Sequence, residues 1–172
     1  MTAGYGSFCS LPATIVLCKL SQLWHSVQLR LWRKMALSMT SRPGVVLADD
    51  HRAMLTEVRS LLQPRFDVLA AVENGLLAVD AVSKFRPEIA VLDIAMPGMS
   101  GIRAAHEIRR QEPDTRIVFL TIQMDPEYIQ AAQDLGAGYV LKSRMHSDLL
   151  LAIDEALAGR AFVSPLLMEP LR

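Results

Sequence analysis

The sequence predicts an α/β fold built on a five-stranded parallel sheet with helices on both faces. Three observations carry this. Between Pro43 and Gly159, short apolar runs and amphipathic stretches alternate five times. The connections between them are short. Several runs are apolar throughout, which is the pattern of strands covered on both faces.

The elements follow in order. "VVLA" (45–48) is a β-branched apolar run and the first strand. "HRAMLTEVRSLLQ" (51–63) places Met54, Leu55, Val58, Leu61 and Leu62 on one helical face. "FDVLAAV" (66–72) reads as the second strand and "NGLLAVDAVSKF" (74–85) as the second helix. "EIAVLD" (88–93) is the third strand, and "SGIRAAHEIRRQE" (100–112) a helix stopped by Pro113. "RIVFLT" (116–121) is the fourth strand. "DPEYIQAAQDLG" (125–136) is a helix with Asp125 as N-cap, Pro126 at its first position and Gly136 past its end. "GYVLK" (138–142) is the fifth strand. "SDLLLAIDEALAG" (147–159) is the fifth helix, with Leu149, Leu150, Ile153 and Leu157 toward the core.

Composition narrows the function. The formal net charge is zero, so no general attraction to nucleic acid is expected. That zero hides a division. Residues 1–48 hold Lys19, Arg30, Arg33, Lys34 and Arg42 and no acid, whereas residues 49–172 hold 13 basic and 18 acidic side chains, a net of −5. Cys9 and Cys18 are the only cysteines and belong to no CxxC or Cys/His cluster, which argues against zinc and disulfides and suits a reducing cytoplasm. No apolar run reaches the ~18 residues of a membrane span.

The first 42 residues are expected to be an extension outside the domain, either disordered or the product of an over-long gene start, since Met35 or Met39 would each lead directly into the first strand. Leu20, Leu23, Trp24, Val27 and Leu31 also fit a basic amphipathic helix, which could lie on a membrane surface or a partner. "SMTSRP" is a poor cleavage site for a signal peptide.

In a parallel α/β sheet, ligands bind beyond the carboxyl ends of the strands. Asp49 and Asp50 follow the first strand, Asp93 ends the third, Thr121 the fourth and Lys142 the fifth. If the first and third strands are neighbours, three carboxylates share one pocket. They then need a cation or a proton. Clustered oxygens without sulfur or nitrogen ligands suit a hard ion, by default Mg²⁺. A metal, an ammonium and a hydroxyl around one aspartate would support a phosphoryl group on it. Taken singly, each residue has an ordinary reading: the Asp pair as a helix cap, Asp93 as a satisfied buried acid, Thr121 as a turn residue and Lys142 as a solvated side chain. Their joint placement on successive strand ends carries the signal. His51, His106 and His146 show no metal-ligand spacing and read as surface or half-buried residues.

"VVLADDHRAML", "AVLDIAMPGMSG", "VFLT" and "GAGYVLK" resemble the CheY-like receiver domain of bacterial two-component response regulators, over residues ~43–160. "LTIQMDPEY" and "ALAGRAFVSP" are similar to its NarL/LuxR-type branch. The resemblance implies a flavodoxin-like (βα)5 three-layer sandwich with strand order 2-1-3-4-5. It implies a receiver domain at 43–160 and a tail or linker remnant at 161–172. Asp93 would be the phosphoacceptor, taking its phosphoryl group from a sensor histidine kinase. Asp49, Asp50, Asp93 and the backbone carbonyl of Ala95 would hold Mg²⁺. Lys142 would pair with phosphoryl oxygens, and Thr121 and Tyr139 would form the switch. Pro97 and Gly98 would shape the loop after the acceptor. The readout would be the face formed by the fourth helix, fifth strand and fifth helix, acting on a protein partner or a second copy. The chemistry would be self-phosphoryl transfer and autodephosphorylation rather than turnover.

Departures from the pattern matter. Ser143 stands where many receivers have proline, Ile122 is bulky beside Thr121, and Ala95 has no polar group to orient a hydrolytic water, although Gln123 has one. The chain ends at "LLMEPLR" with no recognition helix or basic patch, so direct DNA binding by this chain is not expected. A haloacid-dehalogenase-type phosphatase would need an acid where Ala95 stands. A nucleotide site is opposed by "GMSG", which is not GxGxxG and lacks a Walker lysine. A degenerate receiver acting as a phosphorylation-independent interaction module is the remaining alternative.

Overall fold

The computed structural model describes residues 42–165. Strands β1 (Gly44–Ala48), β2 (Asp67–Val72), β3 (Ile89–Leu92), β4 (Arg116–Thr121) and β5 (Gly138–Leu141) alternate with helices α1 (Arg52–Leu62), α2 (Gly75–Phe85), α3 (Gly101–Gln111), α4 (Pro126–Asp134) and α5 (Met145–Leu157). All strand pairs are parallel and the order is β2-β1-β3-β4-β5, as the sequence predicts. Among the described residues, no helix is long and apolar enough to cross a membrane. The N-terminal amphipathic stretch, both cysteines and residues 166–172 lie outside the described residues.

The sheet separates two apolar layers because strand side chains alternate sides. Val46, Ala48, Ala90, Leu92, Phe119 and Tyr139 face α2, α3 and α4, while Val45, Leu47, Val91, Leu120 and Val140 face α1 and α5. β1, β3 and β5 are buried along their whole length, as continuous apolar runs demand. β2 is the exception. It lies at the sheet edge, and its exposure alternates from Asp67 outward instead of vanishing. An edge strand has only one neighbour, so one border of its side chains meets solvent.

Helix ends are set by local chemistry. The Asn74 side chain accepts the Leu77 N–H, Ser100 accepts that of Arg103 and Asp125 that of Glu127, each satisfying a donor that the first turn leaves free. Pro126 opens α4, and Gly136 sits at φ +62° beyond its end.

α5 corrects two expectations. It begins at Met145, not Ser147, directly after a 3₁₀ turn at Lys142–Arg144. Ser147 lies within its first turn, and its hydroxyl donates to the Arg144 carbonyl. The buried stripe is Met145, Leu149, Ala152, Ile153 and Ala156, with Leu150 half-buried and Leu157 38% exposed. At 3.6 residues per turn, Ala156 continues that stripe and Leu157 falls to its edge. The structured chain also runs past residue 160. Val163 pairs in parallel with Tyr139 on the free edge of β5, and Ser164 is fully buried.

Ile153 is fully enclosed, so Ile153→Ala should cost about 2–5 kcal/mol through lost burial and a cavity. Leu157→Ala should cost below about 1 kcal/mol. Urea unfolding of the two variants checks this difference.

Candidate functional site

The chain runs outward from β1 to β2 and then returns to β3 on the other side of β1. That reversal opens a crevice at the carboxyl ends of β1 and β3. Ala48 and Leu92 are register partners, so Asp49 and Asp93 emerge side by side. The ladder extends one residue further on each strand: Asp93 N–H donates to the Ala48 carbonyl at 2.8 Å, and Asp49 N–H to the Val72 carbonyl at 3.1 Å. The backbone therefore aims both carboxylates before any side-chain interaction acts.

Lys142 reaches them from the turn after β5. Its Nζ lies 2.6 Å from Asp49 Oδ2 and 2.9 Å from Asp93 Oδ2. Both aspartates are 4% exposed and the lysine side chain 10%. Burial alone would lower the Lys142 ammonium, but hydrogen bonds and charge from Asp49 and Asp93 outweigh it and raise it above its ordinary value. The lysine is thus a fixed cation between two buried anions.

The acids remain in excess. Among the described residues, Asp93 Oδ1 is buried and accepts no hydrogen bond, although a buried lone acceptor costs at least about 1–3 kcal/mol. Asp50, with 30% of its side chain exposed, adds a third carboxylate. His51 joins the acids as well: its N–H donates to Asp49 Oδ1 at 2.9 Å, and its Nδ1 lies 2.8 Å from Asp50 Oδ1 and 3.4 Å from Asp49 Oδ1. Donor atoms of Asp49, Asp50 and His51 fall within 4.8 Å of one another, a spacing that could hold a metal ion. Asp93 is outside that group, with Lys142 between it and Asp49. An oxygen-rich donor set, surplus negative charge and an unpartnered carboxylate oxygen fit a hard divalent cation. His106 and His146 are exposed surface residues, as expected, but sequence spacing missed His51. The adjacency "DDH" was the available signal.

Thr121 is buried, and its hydroxyl accepts the Gln123 N–H at 3.2 Å. Tyr139 lies against Phe119 in the core, and its hydroxyl donates to the Gln123 carbonyl at 3.1 Å. The two expected switch residues therefore meet on the backbone of one residue. Burial pushes the Tyr139 phenol up to about 12, helped by charge from Asp125, Tyr128 and Asp93. Ile122 projects from the same loop, 71% exposed. Ala95 is exposed on the loop after Asp93. There Met99 N–H closes a tight turn onto the Pro97 carbonyl at 2.9 Å, with Gly98 at φ +76°.

Gly101 has a role that the sequence did not reveal. A Cβ there would stand 2.0 Å from the Asp93 carbonyl oxygen, so only glycine lets α3 start against the backbone of Asp93. The second glycine of "GMSG" thus serves close packing.

This doubly wound sheet, with acids, hydroxyl and lysine at its carboxyl edge, has the architecture of a signalling receiver. Residues 45–154 match the family model described as the response regulator receiver domain, and the chain belongs to that family. It is 32% identical over 124 residues to the transcriptional regulatory protein DegU of Brevibacillus brevis, covering 70% of this chain and 52% of that protein. It is 36% identical over 123 residues to the oxygen regulatory protein NreC of Staphylococcus epidermidis, covering 69% and 56% respectively. The chain therefore spans about half the length of the curated relatives it matches. Among solved structures, a LuxR-family two-component response regulator from Aurantimonas superposes with TM-score 0.70 at 32% identity, covering 74% of this chain and 94% of that one. The isolated receiver domain of RcsB from Salmonella enterica serovar Typhimurium, solved with the phosphomimetic BeF3-, gives 0.68 at 27% identity, covering 74% and 97%.

Gly101→Ala should destabilise the domain by about 1–3 kcal/mol despite alanine's better helix propensity, because Cβ meets backbone. Chemical denaturation measures it. Tyr139 should ionise near pH 12. Its folded value is raised, so the stability it contributes is complete below its ordinary 10.0 and is lost as pH rises through about 12. Comparing the alkaline ultraviolet titration and unfolding of wild type and Tyr139→Phe tests both points.

Proposed function

We propose that this domain accepts a phosphoryl group on Asp93 from a phosphohistidine of a sensor histidine kinase, in a Mg²⁺-dependent step. The resulting charge then repacks the α4–β5–α5 face and changes its affinity for a protein partner or a second copy. The observation that carries this reading is the Asp93 carboxylate itself: one oxygen is held by Lys142, and the other is buried without a partner. A buried nucleophile poised beside a fixed cation suits attack on phosphorus, with the phosphorus–nitrogen bond breaking and the imidazole leaving.

Asp49, Asp50, Asp93 and the Ala95 carbonyl would hold the cation, and His51 stands next to that set. When bound, the cation offsets the acid surplus and the negative charge of the incoming phosphoryl group. Lys142 exchanges its contact with Asp93 for the phosphoryl oxygens. The Thr121 hydroxyl leaves the Gln123 N–H and turns as a donor to the phosphoryl group, and the Tyr139 ring follows. Ile122, 71% exposed beside Thr121, would narrow access to the phosphoryl group. The modification adds about 1.5–2 negative charges and three strong acceptors at one point. A regulatory domain needs only a bias between two packings, not turnover.

Incubation with a small phosphodonor and Mg²⁺, read by intact mass, tests the reading. Wild type should gain one phosphoryl group, and Asp93→Asn or a chelated sample should gain none. An adduct that survives Asp93→Asn would falsify Asp93 as the acceptor. Wild type that gains nothing would favour an interaction module independent of phosphorylation.

A further inference from the structure

Lys142 reaches two carboxylates from a three-residue turn whose middle residue, Ser143, is exposed. The ring of hydrogen bonds that closes on this turn comes from distant sequence. Ahead of Lys142, the Leu141 N–H donates to Ser164 Oγ at 3.3 Å. That hydroxyl donates to Asp148 Oδ2 at 2.8 Å. Behind Lys142, Arg144 grips the same carboxylate, Nε to Oδ2 at 2.7 Å and an Nη to Oδ1 at 3.1 Å. The residues flanking Lys142 and Ser143 are therefore tied to each other through one buried hydroxyl and one buried acid. Asp148 is 4% exposed. Arg144 first, with Ser147 and Ser164, holds its carboxyl down to about 2, so it stays ionised.

Ser164 is delivered by a short strap along the free edge of β5. Tyr139 N–H donates to the Phe162 carbonyl at 2.6 Å, and Ser164 N–H to the Tyr139 carbonyl at 2.9 Å. Phe162 packs with the α1/α5 layer and Val163 with the opposite layer, so the strap is anchored on both faces.

We propose that Asp148 and Ser164 are positioning residues that hold Lys142 on Asp49 and Asp93, so that the strap after α5 is mechanically part of the phosphoacceptor site. The simpler role, pinning the start of α5, needs only the Arg144–Asp148 pair and Ser147. It does not need the bond from Ser164 to Leu141, whose position in the ring is immediately before the lysine. Coupling is reciprocal. A ligand that draws Lys142 off its carboxylates loosens the strap. The rate consequence rests on the phosphoacceptor reading; the placement of Lys142 does not.

The test uses the full chain with Ser164→Ala, which opens the ring at Leu141 and leaves the Arg144–Asp148 pair intact. Arg144→Gln opens it from the exposed side, should Ser164→Ala fail to fold. Thr115→Ala is the control: it removes another buried hydroxyl, the one bonded to the Pro87 carbonyl at 2.9 Å on the opposite end of the sheet. Limited acetylation read by peptide mass spectrometry compares Lys142 with exposed Lys84. Opening the ring should raise Lys142 labelling about threefold or more relative to Lys84, while Thr115→Ala leaves the ratio at the wild-type value. With a small phosphodonor, the saturated rate should fall by about tenfold at an unchanged half-saturating Mg²⁺ concentration. Wild-type protection of Lys142 in both ring variants, or equal exposure by Thr115→Ala, overturns the proposal. If wild type itself takes no phosphoryl group, the phosphoacceptor reading fails, and the labelling ratio alone still decides the positioning role.

Discussion

One ammonium between two buried carboxylates is the constraint around which this domain is arranged. Asp49 and Asp93 sit on adjacent strands and would repel across a low-dielectric gap without Lys142. Removing one partner from such a buried group typically costs about 3–5 kcal/mol, because the survivors stay buried and unpaired. The charges therefore constrain the backbone that presents them. β1 and β3 must run in parallel and in register, β5 must end two strands away from β3, and the turn after β5 must point the lysine back across β4. The order β2-β1-β3-β4-β5 meets all of these conditions.

The lysine resolves most of the electrostatic conflict but not all of it. Three acids face one ammonium, His51 adds a titratable ring at the solvent side, and one oxygen of Asp93 is left without a donor. An arrangement selected for stability alone would hydrogen-bond that oxygen or replace the cluster with apolar residues. Persistent imbalance at the mouth of a switch-point crevice is what a site for a cation and an incoming anion requires. The close approach enforced at Gly101 belongs to the same logic, since it brings the N-terminus of α3 against the backbone of the acid.

Much of this was legible in the sequence, and the limits have physical causes. Alternation of apolar runs and amphipathic stretches reads directly because burial imposes it at every residue. The acids read as a site because they stand together at successive strand ends, although each alone has an ordinary explanation. Errors arose where tertiary context overrode a local signal. The fifth helix starts two residues before Ser147, because the 3₁₀ turn at Lys142–Arg144 leads directly into it. Leu157 has the right spacing from Ile153, yet Ala156 continues the stripe and Leu157 is left 38% exposed. β2 has a strand's composition but an edge strand's exposure. The contacts of His51 with its acids and of Ser164 with Leu141 depend on backbone direction and on pairing between distant segments, which periodicity does not encode.

Tyr139 stands where the strap and the proposed switch meet. Its backbone N–H and carbonyl are both taken by the strap, and its hydroxyl donates to the Gln123 carbonyl in the loop after β4. In the proposed switch, the backbone of β5 can stay in place while the ring turns. The ring gives up a single neutral hydrogen bond, a net term of about 0.5–1.5 kcal/mol. Thr121 gives up a bond of the same kind at the Gln123 N–H. Against this, a phosphoryl group on Asp93 offers charge-assisted acceptors to Thr121 and Lys142, each interaction roughly twice as strong as a neutral one. In that proposed switch the balance would be close enough for one modification to reverse it, and the strap bonded to Tyr139 would feel the change through Lys142.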